Sequence, residues 1–341
     1  MIAGRLRSRK GVAKGISSWR ISAPPCHSGK PMNLTVHIGT TKTGSSSIQK
    51  FLSNNRDILR DRGILVPSSL GRVIHLNAVL SALPFGKSPD LAQTIPLTDA
   101  EQHAAFRENT SAAFREEIAG APGCQEVVIT AEQLHSRLPL PDYIQTFRDL
   151  FCRDFSTIRI VIYVRPQLDQ IISLYSTMLR GGYAHSLGDF IKSRMQPIFR
   201  PYFDLRDVIT RWADVFGREN VIVRPYKGVA RDFGTLGDFC ELLKLDLGEE
   251  GWQLDKQQVN ASINVAGQEL LLMLNKTGAL DAVQRRKVAK WAEAHCTGRG
   301  AMPPLAQAQA FQSQFDEGNA WVTETFFPDH PEYLEPRWPE A

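Results

Sequence analysis

The sequence lacks any long hydrophobic run: no stretch of 18 or more consecutive apolar residues occurs in its 341 residues, so it predicts no transmembrane span. Cysteine is scarce, and none of the five cysteines lies at CxxC spacing. This pattern predicts neither a disulfide framework nor a zinc site, and it suits a reducing, cytoplasmic location. The apolar fraction of 43% and the charged fraction of 22% are typical of a globular protein.

Acidic residues are absent from residues 1–31, which contain seven lysines and arginines. A basic, serine-containing segment without acids is compatible with a targeting peptide or with a disordered tail. A third interpretation is a start codon placed too early, because Met32 immediately precedes the first apolar run. In each case we expect residues 1–31 to lie outside the folded domain.

The remaining chain has no excess of positive charge. Removing the seven bases leaves 33 bases against 36 acids, a formal net charge of −3 for residues 32–341. This balance argues against a nucleic-acid partner. We expect one domain over 32–330 and a C-terminal tail over 331–341. The segment 66–125 is long for a connection between strands, so we expect it to cover an acceptor site.

A glycine-bracketed loop follows the first apolar run. Leu34 to Ile38 predicts a strand, and the loop from Gly39 to Gly44 carries Lys42 among hydroxyl residues. Apolar residues then recur at near-helical spacing: Ile48, Phe51, Leu52, Ile58 and Leu59. A strand–loop–helix unit of this kind directs backbone N–H groups and a helix N-terminus to one point. The pattern therefore predicts an anion-binding site.

The loop departs from the Walker A pattern GxxxxGK[ST], in which lysine directly follows the second glycine. Gly39 and Gly44 have the required spacing, but Ser45 occupies the lysine position and the lysine comes earlier, at Lys42. The anion site is retained while the lysine lies on another part of the loop.

A second strand–helix unit begins at Ile158–Val164, a β-branched run typical of a strand buried on both faces of a parallel sheet. Arg165-Pro166 ends the run, with proline expected at a first helical position. Leu168, Ile171, Ile172, Tyr175 and Leu179 then mark one helix face before Gly181. Arg165 is thus predicted at the carboxyl end of a strand, where ligands bind in open α/β sheets, with Ser173 on the next helix.

These two units resemble the nucleotide-binding elements of sulfotransferases that use PAPS (3′-phosphoadenosine 5′-phosphosulfate). Residues 42–46 are similar to the loop that binds the 5′-phosphosulfate, and Arg165 with Ser173 is similar to the element that holds the 3′-phosphate. Looser similarity lies in the Asn260-Ala261-Ser262 element and in residues 202–226. The resemblance implies an α/β fold, a three-layer sandwich with a central parallel sheet of the P-loop NTPase-like kind.

The resemblance also implies the chemistry of the site. PAPS would donate the sulfuryl group, without a metal, to a hydroxyl or amine of a carbohydrate, glycolipid or small-molecule acceptor in a bacterial-type enzyme. Lys42 would offset charge on the leaving phosphate. The 5′-phosphate would be held by the loop and first helical turn, namely Thr41, Lys42, Thr43, Gly44, Ser45, Ser46 and Ser47. Arg165 and Ser173 would hold the 3′-phosphate.

The general base is predicted less directly. Glu132 follows the strand Val127–Thr130 and matches in kind the acidic base of carbohydrate sulfotransferases. It could instead be a structural carboxylate that pairs with Lys42 or caps a helix. His75 and His135, both in apolar surroundings, are the alternative bases, and His185 and His37 rank below them. Arg224, at another strand end, could reach the cofactor or form a structural ion pair.

Two other functions are also compatible with the sequence. One is a P-loop kinase or NTPase that uses ATP and magnesium, and the other is an inactive module that binds nucleotide or glycan. The sequence does not indicate the oligomeric state.

Overall fold

The computed structural model describes residues 32–87, 95–228, 233–254 and 262–340. All of them belong to one compact unit, Pro31–Ala341. The expectation for residues 1–31 lies outside the described residues, as do Asn260 and Ala261 of the Asn-x-Ser element.

A five-stranded sheet forms the centre of the fold, and every strand pairing is parallel. Its strands are β1 (Asn33–His37), β2 (Ile64–Leu65), β3 (Glu126–Thr130), β4 (Thr157–Val164) and β5 (Val221–Pro225), in the order β2-β3-β1-β4-β5. In the register, His37 lies opposite both Thr130 and Val161. β1 and β3 therefore end level, while β4 continues three residues further to Val164.

Helices connect the strands. The α-helices of the described ranges are α1 (Ser45–Asn54), α2 (Arg56–Asp61), α3 (Leu76–Ala82), α4 (Ala100–Ala119), α5 (Glu132–Arg137), α6 (Pro141–Phe151), α7 (Gln167–Arg180), α8 (Leu187–Arg194), α9 (Arg200–Phe203), α10 (Leu205–Phe216), α11 (Gly234–Leu242), α12 (Val265–Thr277), α13 (Ala282–His295), α14 (Leu305–Gln312) and α15 (Asp316–Phe326). Single 3₁₀ turns lie at Pro197–Phe199, Arg218–Asn220, Ser313–Phe315 and Pro331–Leu334. None of the helices in these ranges combines the length and apolar character needed to cross a bilayer.

Two apolar cores cover opposite faces of the sheet. Leu34 and Val36 of β1 pack into a core with α3, α4, α6, α10 and α15, whereas Val128 and Val161 pack into a core with α1, α2 and α11. Alternate residues of a strand point to opposite faces, so continuous apolar strands require helices on both sides. This three-layer α/β arrangement confirms the fold predicted from the sequence.

A third core lies among helices that follow β4. Leu168, Ile171, Tyr175 and Leu179 of α7 pack with residues of α8, α9, α12, α13 and α14. These four residues form one helical stripe and are nearly fully buried. The stripe fixes the rotation of α7 and so decides which of its residues remain for the site.

Two local expectations changed in detail, and a third stays a prediction. Pro166 is the N-cap of α7, with φ −51° and ψ 135°, rather than its first helical residue. The described parts of segment 66–125 pack through α3 and α4 onto α6, and α3 also contacts α5, so the expectation that this segment covers an acceptor site stays a prediction. Residues 331–340 do not form a separate tail, because Leu334 is buried in the first core and residues 337–340 line the cavity described below.

Candidate active site

The loop between β1 and α1 is held in an unusual backbone conformation. Gly39, Lys42 and Gly44 have positive φ values of 72°, 69° and 86°. Glycine adopts such values without strain, whereas a lysine at positive φ is uncommon and needs support from its surroundings. The support comes from hydrogen bonds of two buried threonines: the Thr43 hydroxyl donates to the Thr40 carbonyl (2.6 Å), and the Thr40 hydroxyl donates to a β4 carbonyl (2.8 Å).

The first turn of α1 follows directly. Gly44 is its N-cap and offers no side-chain hydrogen bond, and the first turn contains no acidic residue. The Ser47 N–H already donates to the Gly44 carbonyl (3.0 Å), so the N–H groups of Ser45 and Ser46 are the donors that this turn offers, together with a partial positive charge. The buried Ser45 hydroxyl has no hydrogen-bond partner, and Ser46 and Ser47 line the adjoining cavity. Because the Thr43 hydroxyl already donates to the Thr40 carbonyl, only the backbone N–H of Thr43 remains to bind an anion.

The helix α7 forms the second wall of the cavity. Ser173, Ser176, Thr177 and Arg180 lie at spacings of three, four and seven residues, which places them on one helix face. Lys42 Nζ donates a hydrogen bond to Thr177 Oγ1 across the cavity (2.9 Å). The buried Ser176 hydroxyl has no partner. The loop lysine and the α7 hydroxyls therefore face the same space.

Arg165 joins these two walls. Its Nη1 donates to the Lys42 carbonyl (2.9 Å), and its guanidinium lies over the Tyr226 ring at 4.7 Å from the ring centroid. Its Nε is buried without a hydrogen-bond partner. Burial lowers the pKa of Arg165, but a guanidinium stays charged in proteins, so the cation remains available to an anion.

Other segments complete a cavity of about 1140 Å³. Its third wall comes from the start of α12, from the loop 298–304 and from residues 337–340. Six basic residues line the described cavity, namely Lys42, Lys50, Arg165, Arg180, Arg299 and Arg337, against the two acids Asp169 and Glu340. Burial lowers the pKa of Lys42, and the nearby charges of Arg180 and Arg165 lower it further. The cavity therefore favours an anionic ligand.

Glu132 packs against the loop at Gly39. A Cβ placed on Gly39 would lie 3.2 Å from Glu132 Cβ, so the first residue of α5 packs directly on the loop. Burial raises the pKa of Glu132, and the Lys42 charge partly opposes this shift. A carboxylate with a raised pKa next to a lysine suits a general base. Glu132 is not among the residues that line the cavity, so its contact with the site is through the loop.

Tyr202 also contacts the loop. Its hydroxyl donates a hydrogen bond to Thr41 Oγ1. Burial raises the pKa of Tyr202 to about 12, and the Glu132 charge contributes to this shift. The His135 Nε2 lies 2.9 Å from the Tyr202 carbonyl, and burial lowers the pKa of His135 to about 3. His135 is therefore a buried neutral side chain that supports Tyr202.

The other histidines considered as bases, His75, His37 and His185, do not line the cavity. His75 is buried, its Nδ1 accepts the Thr130 N–H (2.9 Å), and burial lowers its pKa to about 3. His37 is also buried, with its Nδ1 2.9 Å from Thr130 Oγ1, and its ring packs between aromatic side chains. His185 is exposed beside Tyr183. The structure does not bring His75 to Lys42, and a proton acceptor with so low a pKa is a weak base.

The sequence left two roles for Arg224, a cofactor contact or a structural ion pair, and its hydrogen bonds distinguish between them. Its guanidinium donates twice to the buried Asp238 carboxylate, which also accepts the Tyr163 hydroxyl (2.7 Å). Arg224 therefore forms a structural ion pair and does not line the described cavity.

Several residues of the site were not found from the sequence. Arg180 could have been predicted, because it lies seven residues after Ser173 and therefore on the same helix face as Ser173, Ser176 and Thr177. Arg299, Arg337 and Trp338 had none, since their proximity depends on packing between distant segments. Within the described ranges, no group of three or more His, Cys, Asp or Glu side chains could hold a metal ion.

Comparisons with known proteins gave only distant structural similarity. No protein-family model matches the chain, and no curated protein matches it. Among solved structures, it is similar to a sulfotransferase from Alicyclobacillus acidocaldarius, at 18% identity and a TM-score of 0.39, over 77% of this chain and 99% of that one. It is also similar to the sulfotransferase domain from the curacin biosynthetic pathway, at 12% identity and a TM-score of 0.37, over 84% of this chain and 98% of that domain.

The loop geometry leads to a stability prediction for Gly39→Ala. A methyl group there would lie 2.9 Å from Ser45 Oγ and 3.2 Å from Glu132 Cβ, at a φ of 72°. The control is Gly278→Ala, because Gly278 has a φ of 64° with no atom within 4 Å of the added carbon. We expect Gly278→Ala to lower the free energy of unfolding by about 1 kcal/mol through backbone strain alone. Gly39→Ala should lose at least about 1 kcal/mol more in urea unfolding. Equal losses would contradict the close packing.

Proposed function

We propose that the protein is a sulfotransferase that moves a sulfuryl group from PAPS to a hydroxyl or amine of a carbohydrate, glycolipid or small-molecule acceptor. The observation that carries the proposal is the pairing of two anion sites in one basic cavity. One is the N-terminus of α1 with its loop, and the other is Arg165 with the hydroxyl face of α7. The sequence resemblance of the same two elements supports the choice of donor.

The residues present fit a ligand with two separate phosphate groups. Unpartnered buried polar atoms lie at both sites: the Ser45 hydroxyl at the first, and Arg165 Nε and the Ser176 hydroxyl at the second. Leaving such atoms unpaired is unfavourable, so each is an available partner for a phosphate oxygen. A ligand with a single phosphate group would use one of the two sites and leave the other unsatisfied.

Each element then has a role in the proposed reaction. The first turn of α1, with Lys42, Ser45, Ser46 and Ser47, would hold the 5′-phosphate, and Arg165 with Ser173 would hold the 3′-phosphate. The bound donor supplies an activated sulfuryl group at the mixed anhydride. Lys42 stabilises negative charge at the 5′ side, since its ammonium is held inside the cavity by Thr177.

Glu132 is the proposed general base. Glu132 packs against the loop at Gly39, and burial raises its pKa toward the range in which a carboxylate accepts a proton efficiently. Tyr202, bonded to Thr41, is close enough to Glu132 for the carboxylate charge to raise its pKa. We therefore place the acceptor beside Glu132 and Tyr202.

The binding test uses Arg165→Ala and two nucleotides that differ only in the 3′-phosphate. We expect the variant to bind 3′,5′-ADP about 10- to 100-fold more weakly, because hydrogen bonds to charged groups contribute roughly 1.5–3 kcal/mol. Affinity for 5′-AMP should fall much less, since this nucleotide lacks the 3′-phosphate and depends on Arg165 only through the hydrogen bond to the Lys42 carbonyl. Isothermal titration without metal measures both.

Arg206→Ala, which removes an exposed arginine paired with Glu317, is the control and should leave both affinities unchanged. Equal losses for the two nucleotides in Arg165→Ala would contradict the 3′-phosphate assignment. Stabilisation of the wild-type protein by ATP with magnesium, but not by metal-free 3′,5′-ADP, would indicate a kinase or NTPase instead.

The turnover test uses Lys42→Ala. We expect transfer of label from sulfur-labelled PAPS to acceptors in an extract of the source cells to fall at least about 100-fold, because a preorganised charge at the developing anion is lost. Lys244→Ala is a matched control, since Lys244 is an exposed lysine that also has positive φ (59°). It should retain activity. Absence of any labelled product with the wild-type protein would favour an inactive nucleotide-binding module.

The role of Glu132 predicts a pH dependence. The carboxylate must be deprotonated to accept a proton, so activity should fall as the pH is lowered through its raised pKa. Glu132→Gln should reduce the rate about 100-fold or more and remove this acidic limb of the pH–rate profile. Glu116→Gln, an exposed change on α4, should keep the wild-type profile. An unchanged acidic limb in Glu132→Gln would assign the base elsewhere.

A further inference from the structure

The C-terminal strap, defined as Glu335–Glu340, is fixed beside α7 by a buried carboxylate. Asp169 Oδ1 accepts the Arg337 backbone N–H (3.0 Å), and Asp169 Oδ2 lies 3.5 Å from Lys227 Nζ. Lys227 Nζ in turn donates to the Glu335 carbonyl. Asp169 is only 7% exposed, so its charge is used to hold the strap by its backbone. The anchor leaves the side chains of the strap available.

Those side chains line the same cavity as Lys42 and Arg165. Arg337 and Trp338 are both among the lining residues. The positive charge of Arg337 lowers the pKa of Arg165, so the two guanidinium groups repel each other across this end of the cavity. An anion held between them would convert this repulsion into two attractions.

Trp338 differs from Trp291, the other half-exposed tryptophan in the described ranges. Trp291 is 49% exposed and stacks on His295, with ring centroids 5.0 Å apart and planes at 16°. Trp338 is 40% exposed, and in the described part of the chain no ring packs against it. A nucleotide base stacks well on an indole because both present flat π-surfaces. An indole without a ring partner, lining the same cavity as two guanidinium groups, is suited to the base of a nucleotide whose phosphate these groups bind.

We infer that the C-terminal strap is part of the nucleotide site, with Arg337 contacting the 3′-phosphate of a nucleoside 3′,5′-bisphosphate and Trp338 stacking on its base. This inference rests on the proposed function, since it takes the occupant of the cavity to be such a nucleotide. The strap then completes a site that the loop and α7 leave open.

The two side chains should have separable effects. Arg337→Gln keeps the backbone anchor and should weaken 3′,5′-ADP about 10-fold while changing 5′-AMP little, because only the former carries the 3′-phosphate. Trp338→Leu should weaken both nucleotides about 10-fold, because both carry the base. Trp338→Phe should recover most of the lost affinity. Isothermal titration without metal measures the affinities, and thermal unfolding of the free variants verifies that they fold.

Two variants are controls. Glu335→Gln changes an exposed strap residue that does not line the cavity, and Trp291→Leu removes a tryptophan with an exposure similar to that of Trp338. Both should bind 3′,5′-ADP like the wild type. In addition, 3′,5′-ADP should quench tryptophan fluorescence in the wild type and in Trp291→Leu, but much less in Trp338→Leu.

The outcomes separate the two proposals. If the wild type binds 3′,5′-ADP and Arg165→Ala loses it while both strap variants bind normally, the strap assignment is overturned and the proposed function stands. If the wild type fails to bind 3′,5′-ADP, the proposed function and the strap assignment are both overturned. A nucleotide-selective loss in Arg337→Gln, together with a loss for both nucleotides in Trp338→Leu, supports the inference.

Discussion

The hydrogen bond from Arg165 to the Lys42 carbonyl connects the two halves of the site. Lys42 belongs to the loop after the central strand β1, and Arg165 ends the neighbouring strand β4. Parallel strands of matched register bring these ends together, and the bond holds a positive-φ loop residue in place while keeping the Arg165 guanidinium at the cavity. The distance between the two candidate anion sites depends on the parallel pairing of β1 and β4, because a shift of either strand would separate them.

The concentration of positive charge has a physical cost that the fold offsets in several ways. Burial and neighbouring cations lower the pKa of Lys42, while the charge of Glu132, which packs on the same loop, raises it. Asp169 has the same compensating effect on Arg165. The two carboxylates therefore let cations remain charged inside a partly buried cavity, and a polyanionic ligand would complete the compensation. The arrangement explains why a chain of ordinary net charge can contain a strongly basic site.

Sequence patterns predicted the parts of the site that depend on local order. The Gly39–Gly44 loop and the Arg165 strand end follow apolar runs whose β-branched composition identifies buried strands, and parallel pairing then brings their ends to one edge. His75 was an alternative base because its short apolar context does not reveal that it is buried against Thr130. The expectation that segment 66–125 covers the acceptor stays a prediction: its helix α3 packs on α6 and also on α5, the helix that begins with Glu132. The burial of a histidine and the packing of a long segment depend on contacts between residues far apart in the sequence, which local patterns do not reveal.

By itself, the sequence determined the first strand–loop–helix unit, the early position of the lysine in its loop and the arginine at the end of the strand Thr157–Val164. These are properties of residue type and spacing over fewer than about 20 residues, where backbone preference and apolar periodicity dominate. Only the tertiary structure decided which side chains share the cavity. Arg180 faces it because the apolar stripe of α7 sets the rotation of that helix. Arg337 and Trp338 reach it because Asp169, nearly 170 residues earlier, binds the strap through its backbone.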